Sequence, residues 1–130
     1  MERVCYTFEL AEGQEEEYLR RHAEVWPEMI EALKASGFSN YTLFKRGREV
    51  IAYCEADPTF DEAIAKLEAT EVAPRWNAYI RSLMSRSVDE NGRFFTVDEI
   101  WHLDGRNRAS GMANDRLLTR SIGTSSFRSV

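Results

Sequence analysis

Hydrophobic and polar residues alternate along the first ten positions of the chain. The residues on one side of this segment are all apolar or aromatic, namely Val4, Tyr6, Phe8 and Leu10. A two-residue period of this kind is typical of a half-buried β-strand. Similar patterns predict three more strands, at residues 38–46, 49–56 and 94–103. A hairpin turn containing Gly47 is expected to join the first two of these.

Between the strands, apolar residues recur at three- and four-residue steps, which predicts helices. The longest helical stretch covers residues 14–36 and ends at Gly37, a residue suited to the C-terminal cap. Pro27 lies inside this stretch and is expected to kink the helix or to split it near Val25–Trp26, because proline removes one backbone donor. Two more helices are predicted at residues 58–67 and 71–84.

The predicted elements follow the order β-α-β-β-α-β, which is the ferredoxin-like arrangement of an α+β protein. Its helices can cover only one face of the sheet. The other face still carries apolar side chains on several strands, so a second copy of the chain is the natural cover. The sequence therefore predicts a homodimer of the kind called a dimeric α+β barrel.

Charge divides the 130-residue chain into two predicted regions. Residues 1–104 form one acidic domain with 12 basic and 21 acidic residues, whereas residues 105–130 form a basic, Ser-rich tail. The acidic domain would repel phosphate backbones, so nucleic-acid binding is not expected. The tail is expected to be mobile; the alternatives are a nucleic-acid arm and a short docking helix that contains Leu117, Leu118 and Ile122.

Features that the sequence lacks limit the possible cellular locations and cofactors of the protein. No stretch approaches the ~20 apolar residues of a membrane span, and the first residues do not resemble a signal peptide. Two cysteines are too few for a disulfide scaffold, so a cytoplasmic protein without membrane attachment is expected. The two histidines are far apart and there is no glycine-rich phosphate loop, so no metal and no nucleotide cofactor are expected.

Tyr18 and His22 are four residues apart and so lie one above the other on a helix face. Histidine titrates near neutral pH, which makes it a ready general acid or base. His22 also lies beside the apolar residues Leu19 and Trp26, so a packed core histidine is the alternative interpretation.

A second group of candidate residues is aromatic. Tyr41 lies on the second predicted strand, and Trp76, Asn77 and Tyr79 lie on the last predicted helix. An aromatic ring beside hydroxyl, amide and guanidinium groups suits a neutral, hydroxylated ligand such as a sugar. The alternative is that Trp76 and Tyr79 form the core edge of an amphipathic helix.

Glu99 is a further candidate because of its surroundings in the sequence. It falls between Val97 and Trp101, on the more apolar face of the last predicted strand. A carboxylate in such a position is either paired with a cation or functional.

These residues together resemble the L-rhamnose mutarotase family. The resemblance rests on Tyr-x-x-x-His followed by Trp-Pro-Glu at residues 18–28, on Asn40-Tyr41, on Arg75-Trp76 and on Glu99. It covers residues 1–104 and implies a cofactor-independent, homodimeric epimerase that acts at the anomeric carbon of an aldose. It also implies that His22 is the proton donor. The residues implied to bind the sugar are Tyr18, Tyr41 and Trp76.

Asn77 departs from the family pattern, because the rhamnose enzymes carry a second tryptophan at the matching position. The reaction class is unaffected by this departure, but L-fucose becomes an alternative to L-rhamnose as the 6-deoxy sugar. In the expected reaction His22 is the acid and Tyr18 orients either His22 or the sugar. Either Glu99 or water acts as the base.

Two other functions fit the same fold. A cofactor-independent monooxygenase of the dimeric α+β barrel group would also place His, Tyr, Trp and Asn side chains around a small cavity. A non-catalytic module would bind a sugar or another metabolite without speeding the exchange of its anomers.

Overall fold

One antiparallel sheet is the frame of the computed structural model, which describes residues 1–105, 109–110 and 112–113. Its five strands are β1 (Glu2–Leu10), β2 (Phe38–Arg46), β3 (Glu49–Ala56), β4 (Met84–Arg86) and β5 (Phe95–Val97). The order across the sheet is β2-β3-β1-β4, and β5 also pairs with β1. The predicted ferredoxin-like arrangement is therefore confirmed. Two short strands, β4 and β5, replace the single last strand that the sequence predicted.

The central strands bury every second side chain, as the alternation predicts. The buried residues of β3 are Val50, Ala52, Cys54 and Ala56, and those of β1 are Val4, Tyr6, Phe8 and Leu10. The register places Val4 opposite Cys54 and Tyr6 opposite Ala52, so both sets lie on one face of the sheet. This face forms a single hydrophobic core together with the helices.

Four helices contribute to that core. They are α1 (Glu15–Ala23), α2 (Pro27–Ser36), α3 (Phe60–Glu68) and α4 (Val72–Arg81). The stretch predicted over residues 14–36 is split where expected, since Trp26 has an extended backbone and Pro27 occupies the first turn of α2. Gly37 ends α2 with a φ of 109°, the left-handed conformation that favours glycine at this cap.

The helix predicted to begin at Pro58 begins later. Thr59 is the cap of α3, because its side-chain oxygen accepts a hydrogen bond from the Glu62 amide at 3.2 Å. The boundary predicted at Pro58 is therefore wrong by two residues, since Phe60 is the first residue of the helix.

The boundaries predicted around the last strand are also wrong. The helix predicted over residues 71–84 ends at Arg81, and Met84 instead begins β4, which pairs with the end of β1. The strand predicted over residues 94–103 is limited to β5, which pairs with Cys5–Thr7 of β1. Strands of three residues are too short to show a period, so pairing with β1 decides where they form.

The face of the sheet away from the core keeps apolar side chains. Phe44 of β2 lies opposite Ile51 of β3, and Val97 of β5 lies opposite Cys5 of β1. Phe44 and Val97 are 58% and 51% exposed. The open apolar face expected from the sequence is present on this sheet.

A second compact unit begins at Glu99. Its described residues include two short strands that pair with each other, β6 (Ala109–Ser110) and β7 (Met112–Ala113). Most of the predicted tail over residues 105–130 lies outside the described residues, so its mobility stays a prediction. In the described part of the chain, no helix combines the length and the apolar character that crossing a membrane requires.

Candidate active site

Helix α1 brings together the first two predicted site residues. The ring centroids of Tyr18 and His22 are 4.3 Å apart, as expected for side chains one turn apart. The Nδ1 atom of His22 lies 3.3 Å from the backbone carbonyl oxygen of Tyr18. A carbonyl oxygen can only accept, so this contact favours a proton on Nδ1 and leaves Nε2 for a ligand.

Burial changes the protonation of both side chains. The Tyr18 side chain is 3% exposed, and desolvation raises its pKa, so it is a neutral phenol at pH 7. Desolvation also lowers the pKa of His22 below its ordinary 6.5, and the hydrogen bond to the Tyr18 carbonyl only partly offsets this. His22 is therefore mainly neutral at pH 7, and its imidazolium is a stronger acid than that of an exposed histidine.

Helix α4 supplies Trp76, which forms one wall beside His22. The indole ring lies edge-on to the imidazole ring, with 5.5 Å between centroids. Trp76 is only 7% exposed and belongs to the hydrophobic core. The two interpretations of this residue are thus compatible, because most of the indole packs in the core while one side borders His22.

Trp26 and Tyr79 extend the aromatic wall around Trp76. The Trp26 ring lies 5.0 Å from that of Trp76 and 5.2 Å from that of Tyr79. The sequence placed Trp26 among the apolar residues beside His22, in a stretch that Pro27 was expected to kink or split. Because the helix breaks before Pro27, Trp26 stands at the start of α2, where its ring meets α4.

Arg21 joins α1 to α4 beside this wall, a link that sequence reasoning missed. Its guanidinium donates to the Tyr79 backbone carbonyl, and its Cζ lies 4.1 Å from the centroid of the Tyr79 ring. Its Nε also donates to the Glu17 carboxylate at 2.7 Å. Hydrogen bonds from Arg20 and Arg21 lower the pKa of Glu17 to about 2, which makes this carboxylate a weak base.

A β-bulge turns Tyr41 toward the core face of the sheet. Two residues of β2, Asn40 and Tyr41, stand opposite the single residue Cys54 of β3. Asn40 has a φ of 48°, which asparagine tolerates, and its amide donates to Glu55 at 2.8 Å. Strict alternation from the buried Phe38 would put Tyr41 on the open face. With the bulge, the Tyr41 ring lies 5.5 Å from that of Phe38.

The bulge also brings the Tyr41 hydroxyl to Tyr6 of β1, and the two hydroxyls are hydrogen-bonded to each other. Desolvation raises the pKa of Tyr6 to about 12 and the pKa of Tyr41 well above its ordinary 10. Charge interaction with Tyr6 adds to the rise in the pKa of Tyr18. The phenols of Tyr6, Tyr18 and Tyr41 therefore form one neutral group. The sequence predicted Tyr6 only as a core residue and not as a member of this group.

The remaining predicted site residues are Asn77 and Glu99. Asn77 follows Trp76 in α4 and is half-buried. The position predicted for Glu99 on a strand between Val97 and Trp101 is wrong, because β5 ends at Val97. Glu99 is exposed and opens the second unit, and its role in proton transfer stays a prediction.

Tyr18, His22 and Trp76 are thus in contact, while Tyr41 reaches the same core face and pairs with Tyr6. Neutral donors and acceptors beside aromatic rings suit a small, uncharged, hydroxylated molecule. Among the described residues, no three His, Cys, Asp or Glu side chains converge to hold a metal ion.

The strand order and the helical layer place the chain in the class of ferredoxin-like α+β proteins. An L-rhamnose mutarotase from Formosa agariphila superposes with a TM-score of 0.64 at 22% identity, over 80% of this chain and 100% of that one. Tetracenomycin F2 cyclase from Streptomyces glaucescens, a type-II polyketide cyclase, superposes with a TM-score of 0.60 at 12% identity, over 81% and 99%. At these identities the likeness concerns the fold alone.

The sequence comparisons go further than the fold. The family model for L-rhamnose mutarotase matches residues 3–103. The L-rhamnose mutarotase of Listeria monocytogenes is 37% identical over 106 residues, which cover 79% of this chain and 99% of the relative. That of Lachnoclostridium phytofermentans is 33% identical over 104 residues, covering 80% and 100%. The chain belongs to the L-rhamnose mutarotase family, as the motif resemblance predicted.

Proposed function

We propose that this protein is a mutarotase that interconverts the α and β anomers of L-rhamnose. Family membership supports the reaction and the sugar. The observation that carries the chemistry is His22, a titratable group held between Tyr18 and Trp76 with Nε2 left for a ligand. A carbohydrate isomerase of this kind needs an acid and a base.

Anomer exchange begins with opening of the hemiacetal ring. The ring oxygen gains a proton while the anomeric hydroxyl loses its own, and the bond between C1 and the ring oxygen breaks to give an aldehyde. Rotation about the C1–C2 bond presents the other carbonyl face, and closure returns both protons. The cycle leaves the protein unchanged, and positioned acid–base groups typically contribute ~10²–10⁴ in rate.

In this mechanism the imidazolium form of His22, the minor form at pH 7, gives a proton to the ring oxygen from Nε2 and leaves the neutral form with its proton on Nδ1. Its lowered pKa makes the imidazolium release that proton readily, and the contact of Nδ1 with the Tyr18 carbonyl fixes the orientation of the ring. The base is either the Glu99 carboxylate or a water molecule. Exchange at the wild-type rate in Glu99→Gln would assign the base to water, and a loss of ~10²-fold would assign it to Glu99.

Four side chains bind the sugar in this proposal: Tyr18, Tyr41, Trp76 and Asn77. The aromatic rings cover the apolar CH face of the sugar, and the phenols and the amide bond its hydroxyls. Asn77 offers two donors and an acceptor where a second indole would offer a flat surface. This half-buried amide is the observation that keeps L-fucose as the second candidate substrate.

Saturation-transfer NMR tests the proposal by measuring anomer exchange with and without protein. L-rhamnose and L-fucose are compared with D-glucose, without added metal or nucleotide. His22→Asn should slow exchange by ~10²-fold or more at similar sugar affinity. His102→Asn is the matched control, because His102 is the other histidine of the chain and is exposed.

Three results would contradict the proposal. Exchange at the spontaneous rate for every sugar would remove the mutarotase function, and sugar binding without faster exchange would identify a binding module. Oxygen uptake with a quinol substrate would identify a monooxygenase. Normal exchange in folded His22→Asn would leave the function standing and move the proton transfer to another group.

The homodimer is part of the same proposal, and its support is the open sheet face. Phe44 and Val97 expose apolar area there that a second copy would bury. We expect an assembly of about 30 kDa, twice the 15.0 kDa chain mass, with an interface above ~1,000 Å². Sedimentation at micromolar protein measures it, and a monomer that does not respond to concentration would refute it.

The cytoplasmic location also stays a prediction. Cys5 and Cys54 are free thiols in the structure, and Cys54 is buried. Free thiols are what a reducing compartment maintains.

A further inference from the structure

Tyr6 is a buried polar residue for which the proposed mechanism has no role. It lies in the middle of β1, opposite Ala52 of β3 and Thr96 of β5. Its ring packs against Phe94, with 4.8 Å between centroids, and its side chain is only 7% exposed. A hydroxyl buried this deeply requires a hydrogen-bond partner, and that partner is the hydroxyl of Tyr41.

Counting protons shows what this pair of hydroxyls can do. Two phenols carry two protons, and their mutual hydrogen bond uses one of them. Tyr41 as a residue is less buried than Tyr6 and is one of the proposed sugar-binding side chains, so its proton is the one that the proposal directs to a ligand. If Tyr6 donates to the Tyr41 oxygen, the proton of Tyr41 is turned away from Tyr6 and toward the ligand.

We infer that Tyr6 is a positioning residue, which donates its hydroxyl proton to Tyr41 and thereby orients the Tyr41 hydroxyl as a donor to a sugar hydroxyl. This inference rests on the proposed function. Without Tyr6, the Tyr41 hydroxyl still reaches the site but is free to rotate about its C–O bond. The sugar then has to fix that rotation itself, so binding weakens while the proton-transfer step at His22 is unchanged.

A double-mutant cycle tests the inference. Tyr6→Phe, Tyr41→Phe and the double variant are compared with wild type for kcat and KM of anomer exchange, together with the thermal midpoint. Tyr6→Phe keeps the ring packing and should raise KM by about 2- to 10-fold, the range of one hydrogen bond, with kcat little changed. The double variant should be no worse than Tyr41→Phe alone, because Tyr6 acts only through Tyr41.

Tyr53→Phe is the matched control, because it also removes a hydrogen-bonded phenol hydroxyl, one that donates to Glu55 at 2.7 Å. Tyr53 pairs with Cys5, away from the core face, so its variant should keep the wild-type KM. Two results would overturn the inference and leave the mutarotase function intact. One is a wild-type KM in Tyr6→Phe. The other is a double variant whose KM rises by the product of the factors seen in the two single variants. Anomer exchange at only the spontaneous rate with wild-type protein would refute both the mutarotase function and this inference.

A structural role would give another pattern, which the thermal midpoint detects. If Tyr6 only holds the core together, Tyr6→Phe would lower the midpoint and keep KM unchanged in the folded protein. That result would also overturn the inference.

Discussion

Replacing Asn40 with valine tests whether the β-bulge is what delivers Tyr41 to the site. The residue has a φ of 48°, and a β-branched side chain in this left-handed region costs about 1–2 kcal/mol. The exposed hydrogen bond from its amide to Glu55 contributes less than about 1 kcal/mol. Asn40→Val should therefore destabilise the fold by about 2 kcal/mol, which corresponds to a midpoint lower by roughly 10 °C for a domain of this size.

The function should change more specifically than the stability. A bulge that relaxes to regular pairing returns Tyr41 to the open face, where its hydroxyl cannot meet Tyr6. Asn40→Val should then raise the KM for anomer exchange to about the level of Tyr41→Phe, measured by NMR below the unfolding temperature. Asn40→Gly is the matched control, because glycine adopts positive φ freely and should keep KM near wild type. Wild-type KM in folded Asn40→Val would show that the bulge does not depend on residue 40.

Three further predictions follow from the core and the site. Gly37→Ala should lower the free energy of unfolding by more than about 1 kcal/mol, because Gly37 has a φ of 109° and a Cβ would collide with the Asp57 carbonyl oxygen. Gly47→Ala should lower it less, because a Cβ at Gly47 meets open space. Urea unfolding measures both variants. Trp76→Phe should raise KM with the fold intact, while Trp76→Ala should cost about 3–5 kcal/mol of stability, since this side chain is buried. The pKa of His22 is lower in the folded protein than its value near 6.5 in the unfolded chain. At pH values between these two pKa values, the unfolded chain therefore binds more protons than the folded protein. Stability should therefore fall as pH drops below about 6.5, and unfolding of His22→Asn should show less of this loss.

Local spacing was enough to predict the parts of the site that lie within one element. Tyr18 and His22 share a helix face because they are four residues apart, and their rings are in contact. The break before Pro27 was predictable for the same reason, since proline acts on the backbone next to it. The contact of His22 with Trp76 joins two helices that are distant in the chain, and only tertiary packing creates it.

The bulge at Asn40–Tyr41 could not be read from the pattern of β2 alone. Two residues stand opposite one only in relation to β3, so the partner strand is needed to define it. An asparagine inside a strand was the available signal, because asparagine is rare in strands and tolerates positive φ. The hydrogen bond between Tyr6 and Tyr41 depends on that bulge, so the sequence could not predict this hydrogen bond either.

The charge state of the candidate site follows from the burial of its side chains. Desolvation lowers the pKa of His22 and raises the pKa values of the phenols, so all of these groups are neutral at pH 7. Neighbouring carboxylates carry their own arginine partners, as Glu17 does with Arg21 and Glu28 with Arg75 at 3.5 Å. In the proposed mechanism a neutral sugar therefore meets neutral donors, and the imidazolium form of His22 supplies the proton. The tyrosine hydroxyls, whose pKa values are raised, would in that mechanism hold the sugar without competing for that proton.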